Sequence, residues 1–146
     1  MRHLVARADF ERLLATRSRS RSTHFALHHV AGAPTRPAKR PAGVVEGELS
    51  TTDAPTCPPL VDDRPEGIWF GCVVPKRHAK RAVTRNLLKR QVRGTFQRLG
   101  GGLPAGLWLV RLRAPFAVGE FVSARSDRLA AAARAELETL FDRGSR

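Results

Sequence analysis

The chain has 146 residues, 42% of them apolar, and 26 Lys and Arg against 13 Asp and Glu give it a formal net charge of +13. That size fits one domain with a modest core, and the charge points to nucleic acid before an anionic membrane surface or an acidic protein. No stretch approaches the ~18 apolar residues of a membrane span, and the two cysteines, Cys57 and Cys72, form no close-spaced pair for zinc or redox chemistry.

From Met1 to Arg21, Arg alternates with short apolar pairs, without the continuous apolar run of about 7–15 residues that a secretory signal needs. The chain is therefore expected to stay in the cytoplasm. Within this stretch, Phe10, Leu13 and Leu14 follow Asp9 at helical spacing, which predicts a short helix over Ala8 to Thr16. The run Arg17 to Ser22 follows it, and Thr23 to Val30 alternates like a strand.

Residues 31–67 then hold seven of the ten prolines. Their charge reverses from Arg36, Lys39 and Arg40 to Glu46, Glu48, Asp53, Asp62 and Asp63, with little periodicity. A segment of this length and composition reads as a disordered insertion into a single domain spanning 1–146. Beyond it, the β-branched apolar run Ile68 to Val74 is a strand ended by Pro75. Cys72 within it reads as a small core hydrophobe and Cys57 as a free thiol.

Lys76, Arg77, Lys80 and Arg81 follow on a loop, with Ala82 and Val83 expected to turn the chain back toward the core. Leu88, Val92, Phe96 and Leu99 then recur at three and four residues, which predicts an amphipathic helix from about Ala82 to Leu99. Its polar face carries Arg85, Asn86, Lys89, Arg90 and Arg93, and the run Gly100 to Gly102 is expected to stop it. Leu107 to Arg113 reads as a third strand and Ser126 to Phe141 as a closing helix, giving the order α-β, insertion, β-α-β-α. Trp69 and Trp108 fall in strands and read as core or rim residues.

Between Gly67 and Gly119 there is no Asp or Glu, yet there are eleven Lys and Arg, nine of them in the 23 residues from Lys76 to Arg98. A charged helix face is ordinarily a solvated surface stabilised by acid–base pairs three or four residues apart. Here such pairs are missing, so loop and helix form one basic strip suited to phosphates. Arg supplies a planar fork of donors and Lys a point charge, and the amides at a helix start also favour anions.

The segment Phe70 to Arg77, followed by Ala82 to Arg93, closely resembles the signature of the bacterial ribonuclease P protein family. The family hallmark is an Arg-Asn-x-x-Lys-Arg-x-x-Arg helix, met here by Arg85, Asn86, Lys89, Arg90 and Arg93 without a gap. Asp9 with Phe10 and Phe25 to His28 match upstream elements, and Leu107 to Arg113 with Ser126 to Phe141 match downstream ones. The resemblance thus covers the folded part of the chain.

The resemblance implies an α+β fold, a small sandwich similar to the second domain of ribosomal protein S5, with a left-handed β-α-β crossover where general rules favour the right hand. It implies a protein subunit that does no cleavage itself. A catalytic RNA using Mg²⁺ hydrolyses a phosphodiester of precursor tRNA, releasing the 5′ leader, and the protein joins it in a one-to-one complex. By match, Arg85, Asn86, Lys89, Arg90 and Arg93 face the catalytic RNA, and Phe10, Leu14 and His28 line a leader-binding cleft between the first helix and the sheet. Lys76, Arg77, Lys80 and Arg81 join the RNA-binding set as part of the same basic strip, Lys80 and Arg81 standing where some members have a glycine and a small polar residue. The family often has a tyrosine at the position of His28, and this chain has no Tyr.

His24 and His28, with His29 beside them, invite a metal reading. On a strand they would share a face about 13 Å apart, too far for one ion, so no metal is assigned to the protein. The basic strip holds no carboxylate to act as acid, base or Mg²⁺ ligand, so the protein alone is expected to be inert. Competing classes are a ribosomal or other structured-RNA-binding protein without a role in cleavage, a DNA-binding protein, and a stand-alone nuclease. The DNA-binding case lacks a preceding helix at helix-turn-helix spacing.

Overall fold

The computed structural model describes residues 2–35, 67–117 and 127–146. The elements are β1 (Arg2–His3), α1 (Arg7–Ala15), β2 (Ser20–Arg21), β3 (Phe25–Val30), β4 (Ile68–Val73), α2 (Ala82–Leu99), β5 (Gly106–Leu112) and α3 (Asp127–Ser145). Every expected helix and strand is present, with ends shifted by up to four residues. Most of the proposed insertion, with Cys57, lies outside the described residues.

Five strands form one sheet in the order β1-β4-β5-β3-β2. β1, β4 and β5 are parallel, whereas β3 runs antiparallel to β5 and β2 antiparallel to β3. Helix α2 is the crossover that adjacent parallel strands require. The two-residue strands β1 and β2 were not foreseen. Too short to show a period, they form because β4 and β3 offer them free edges.

Side chains alternate across the sheet. On one face Phe25, Leu27, Phe70, Trp108, Val110 and Leu112 pack beneath Leu88, Val92 and Phe96 of α2 and Leu129, Ala133, Leu137, Leu140 and Phe141 of α3. On the other, Trp69, Leu107 and Leu109 meet Leu4 and Leu13, with Phe10 at the margin. The result is an α+β sandwich with two helices on one face and α1 on the other. Trp108 is fully buried, its indole N–H donating to the Pro104 carbonyl at 3.0 Å, and Cys72 packs against the larger cluster.

That burial is what lets α2 carry its charge. Burying Leu88, Val92 and Phe96 contributes about 1.5–3 kcal/mol each. The like-charged pairs Arg85–Lys89, Lys89–Arg93 and Arg90–Arg93 cost only about 0.2–0.5 kcal/mol each. At its end the glycines do not stop the chain at once. Gly100 keeps a right-handed φ of −65°, and Gly100–Gly102 adds one 3-10 turn closed by Leu103 N–H donating to the Gly100 carbonyl. Helix α3 continues past Phe141 to Ser145, where Gly144 lets it lie against Leu27; a Cβ there would stand 2.5 Å from Leu27 Cδ2.

Candidate nucleic-acid interface

Helix α1 has no side-chain cap at Ala6, but Asp9 lies in its first turn, where a negative charge suits the helix dipole. Asp9 is fully buried and its carboxylate accepts bonds from Thr35 N–H at 2.9 and 3.2 Å and Thr35 Oγ1 at 2.7 Å. This clasp ties the chain that follows β3 to one edge of α1. At about 100° per residue, Phe10 and Leu14 point to the other edge. Leu14 is 37% exposed.

Phe10 sits over Gly71 of β4, and a Cβ on Gly71 would come within 2.8 Å of its ring and 3.1 Å of Leu109 Cδ1. Glycine is therefore what lets the ring lie on the sheet. A cavity of about 170 Å³ opens beside it, lined by His3, Leu4, Phe10, Gly71, Lys89 and Arg93 among others. It connects the edge of α1 to the basic face of α2. A larger hollow of about 410 Å³ near Leu99, Leu103 and Phe141 lies at the far end of α2 and includes none of the candidate residues.

His28 points to the α1 face of the sheet, where its Nδ1 lies 3.0 Å from the Thr16 carbonyl. It is only 6% exposed, so little of its ring face is open to a base. Burial lowers its pKa most; the Thr16 hydrogen bond works against this, and Arg111 and Arg21 lower it further. The ring is held toward the neutral form.

His24 departs from the expected pairing with His28. It precedes β3, and Glu136 of α3 accepts from its backbone N–H at 2.6 Å and lies 2.8 Å from its Nδ1, while Phe116 stacks on the ring at 3.9 Å. The two histidines reach helices on opposite faces because strand alternation begins only at Phe25.

In the loop, His78 and Ala79 N–H groups both donate to the Pro75 carbonyl, forming a turn. Ala79 is 5% exposed and anchors this turn, whereas Val83 is 51% exposed. The chain thus turns inward at Ala79, not at Ala82 and Val83, because the tight turn at Pro75 folds it back earlier. Lys76, Arg77, Lys80 and Arg81 are all exposed around that anchor. Arg85 Nη1 donates to the carbonyls of Ala79 (3.0 Å) and Lys80 (2.7 Å), so one hallmark arginine also braces the loop against α2. Arg77 Nε donates to His78 Nε2 at 3.1 Å. The His78 pKa is lowered by desolvation and then by Arg77 and Arg111, consistent with a neutral acceptor.

Along α2, Asn86, Arg90 and Arg93 are exposed and Lys89 is half-buried. With Arg85 they span an arc of about 140° at 100° per residue, and about 12 Å of axis. Among the described residues, no carboxylate pairs with any Lys or Arg from Lys76 to Arg93; the ion pairs are Arg7–Glu11, His24–Glu136, Arg98–Glu138 and Arg146–Asp142. Arg98, at the end of the basic run, is thus neutralised, and the rest is not. The ridge is a row of unscreened donors fixed on a helix, which can hold several phosphates at once but offers no acid or base of its own.

One residue at this surface escaped the sequence reading. Arg111 of β5 follows Leu107 and Leu109 on the α1 face, between Ala26 of β3 and Val73 of β4. A single charge at an inward position of an apolar strand was the available signal.

The family model for Ribonuclease P matches residues 1–140. The Ribonuclease P protein component of Bordetella parapertussis is 37% identical over 103 residues, covering 70% of this chain and 79% of that protein. Its counterpart from Burkholderia pseudomallei is 41% identical over 77 residues, covering 53% and 57%. In fold, the chain is similar to the RNase P protein from Thermotoga maritima, with a TM-score of 0.57 at 22% identity over 98% of this chain and 97% of that one. The Staphylococcus aureus RNase P protein gives a TM-score of 0.54 at 14% identity over 97% and 94%.

Proposed function

The chain belongs to the ribonuclease P protein family, and from that premise we propose that it binds the catalytic RNA of ribonuclease P along the loop and α2, and the 5′ leader of precursor tRNA beside α1. Its role is to assist endonucleolytic maturation of tRNA 5′ ends, with the RNA performing the hydrolysis through its Mg²⁺ ions. The observation that carries this reading is the ridge from Lys76 to Arg93, left without carboxylate partners among the described residues.

Physically, the ridge lowers the repulsion between two polyanions. Each cation that meets a phosphate releases a condensed counterion, which favours association most at low salt. Arg90 and Arg93, exposed on successive turns, present forked donors; Lys76, Lys80 and Lys89 act as mobile point charges. Arg85 is shared, holding the loop while keeping the other nitrogens of its guanidinium for RNA.

Beside α1, Phe10 and Leu14 give an apolar wall on which an extended single strand can stack. His28 closes the base of that wall as a neutral ring rather than a platform. A leader held there is kept extended and away from the RNA fold, so substrate and metal ions dock at lower Mg²⁺ concentration.

Reconstitution tests this. A bacterial ribonuclease P RNA at low Mg²⁺ is expected to cleave precursor tRNA at its 5′ end faster with the protein than without it, and the protein alone to cleave nothing. Absence of stimulation, with the chain found instead on ribosomal particles, would favour a structural RNA-binding protein. Cleavage by the protein without added RNA would make it a nuclease in its own right.

A further inference from the structure

The α1-facing floor of the sheet carries one cation in mid-sheet. Leu109, with Gly71 on one side and His28 on the other, forms the row beneath α1. Arg111 stands one row further along β5, about 7 Å on at two residues of strand rise. Its neighbours across the sheet are Ala26 and Val73, so it occupies the second strand from neither edge but the middle one of five. A charge there must be solvated or paired, since an isolated buried ion is strongly disfavoured. Arg111 is partly exposed, and among the described residues its guanidinium has neither a carboxylate nor a hydrogen-bond acceptor.

Its position also links two surfaces. On one side Arg111 is in register with Val73, two residues before the Pro75 turn that opens the basic loop, and along β5 it lies one row from His28 beneath α1, so it stands between the α1 cleft and the start of the ridge. We propose that Arg111 is the floor anchor of the cleft, binding a phosphodiester of the precursor leader and making the cleft continuous with the basic loop. This rests on the leader-binding reading above.

The chemistry favours a phosphate over a base. Ala26 and Val73 provide no ring beside Arg111, His28 is mostly covered, and the chain has no Tyr. What remains open on this floor is a forked donor suited to phosphate oxygens. At that linkage, retention of the leader therefore depends on backbone charge and is indifferent to leader sequence, while stacking is left to the wall formed by Phe10 and Leu14.

The test uses the holoenzyme reconstituted with a bacterial ribonuclease P RNA and compares wild type, R111Q, R111K and F10A. Affinities are measured for mature tRNA, for precursors with leaders of graded length, and for precursors carrying one uncharged methylphosphonate linkage at successive leader positions. For R111Q, precursor affinity is expected to fall about tenfold, as for loss of one charged hydrogen bond, while mature tRNA is unaffected. The log–log salt slope is expected to flatten by about 0.7, with R111K retaining the wild-type slope. One neutral linkage is expected to reproduce the loss in wild type and add nothing in R111Q.

Equal losses on mature and precursor tRNA, or an unchanged salt slope, would overturn the proposal. If F10A loses leader discrimination and R111Q keeps it, this inference fails and the cleft stands; if neither variant loses it, the cleft reading fails as well. Should R111Q not fold, the neutral-linkage scan on wild type decides, because a scan with no sensitive position rejects the anchor.

Discussion

Replacing Arg90 and Arg93 together with Gln isolates the electrostatic part of RNA binding. Both side chains are exposed, and neither has a carboxylate partner among the described residues, so their removal leaves no buried acid behind. Each contact with a phosphate contributes about 0.7–0.9 to the steepness of log affinity against log salt, so two contacts contribute about 1.4–1.8. Across a fourfold rise, from about 50 to about 200 mM salt, wild type is expected to lose about tenfold more affinity for the catalytic RNA than the double variant does. Arg98→Gln supplies the control. Its guanidinium lies 2.8 Å from Glu138, so it is already neutralised and its loss is expected to leave the slope unchanged. Fluorescence anisotropy of labelled RNA at fixed Mg²⁺ reads these slopes directly. Parallel slopes for wild type and R90Q/R93Q, or a flattening by R98Q equal to that of the double variant, would refute the assignment of the unpaired ridge to phosphate contact.

Arg85→Lys keeps the charge but not the fork that holds the Ala79 and Lys80 carbonyls. At about 1 kcal/mol per hydrogen bond, RNA affinity is expected to fall several-fold with an unchanged salt slope, and amide exchange in residues 76–81 to accelerate. Gly71→Ala places a methyl 2.8 Å from the Phe10 ring; a loss of about 1–3 kcal/mol in urea unfolding is expected, together with weaker discrimination of precursor from mature tRNA. For His28 the folded pKa lies below the unfolded value of about 6.5. The unfolded chain therefore binds more protons below that point, and stability present above pH ~6.5 is lost as pH falls toward the folded pKa. Thermal melts are expected to show Tm declining on acidification below pH ~6.5, with a shallower decline for H28Q. His29, also shifted down by burial, contributes the same sign, so H28Q/H29Q is expected to flatten the dependence further.

Local periodicity made much of this fold legible. The three-and-four spacing of Leu88, Val92 and Phe96 marked α2 and its buried side, and the same spacing placed the hallmark cations on the remaining arc. β3 was readable from its alternation, and β4 and β5 as short apolar runs, because strands covered by helices on both faces carry apolar residues on both. What was not legible depended on partners distant in sequence. Two-residue strands have no period of their own and exist only as additions to β3 and β4. The side on which His24 lies is decided by Glu136, more than one hundred residues away.

The site divides along the same line. The ridge could be read from sequence because its evidence is an absence along a continuous segment, namely no acid from Gly67 to Gly119, and the structure adds only that Glu138 reaches back to Arg98 and no further. The cleft could not be read in this way, since it joins a helix edge, a glycine and a strand residue that come from separate parts of the chain. Phe10 requires Gly71 beneath it, and its side of α1 stays open because Asp9 takes the clasp from Thr35 on the other edge. Arg111 is the most instructive case. In sequence it is one more cation among eleven, whereas in the sheet it is the charge left between Ala26 and Val73 with no partner among the described residues. A folded chain that tolerates such a charge in mid-sheet either leaves it to water at a cost in stability or reserves it for an anion, and the salt slope of R111Q separates these two outcomes.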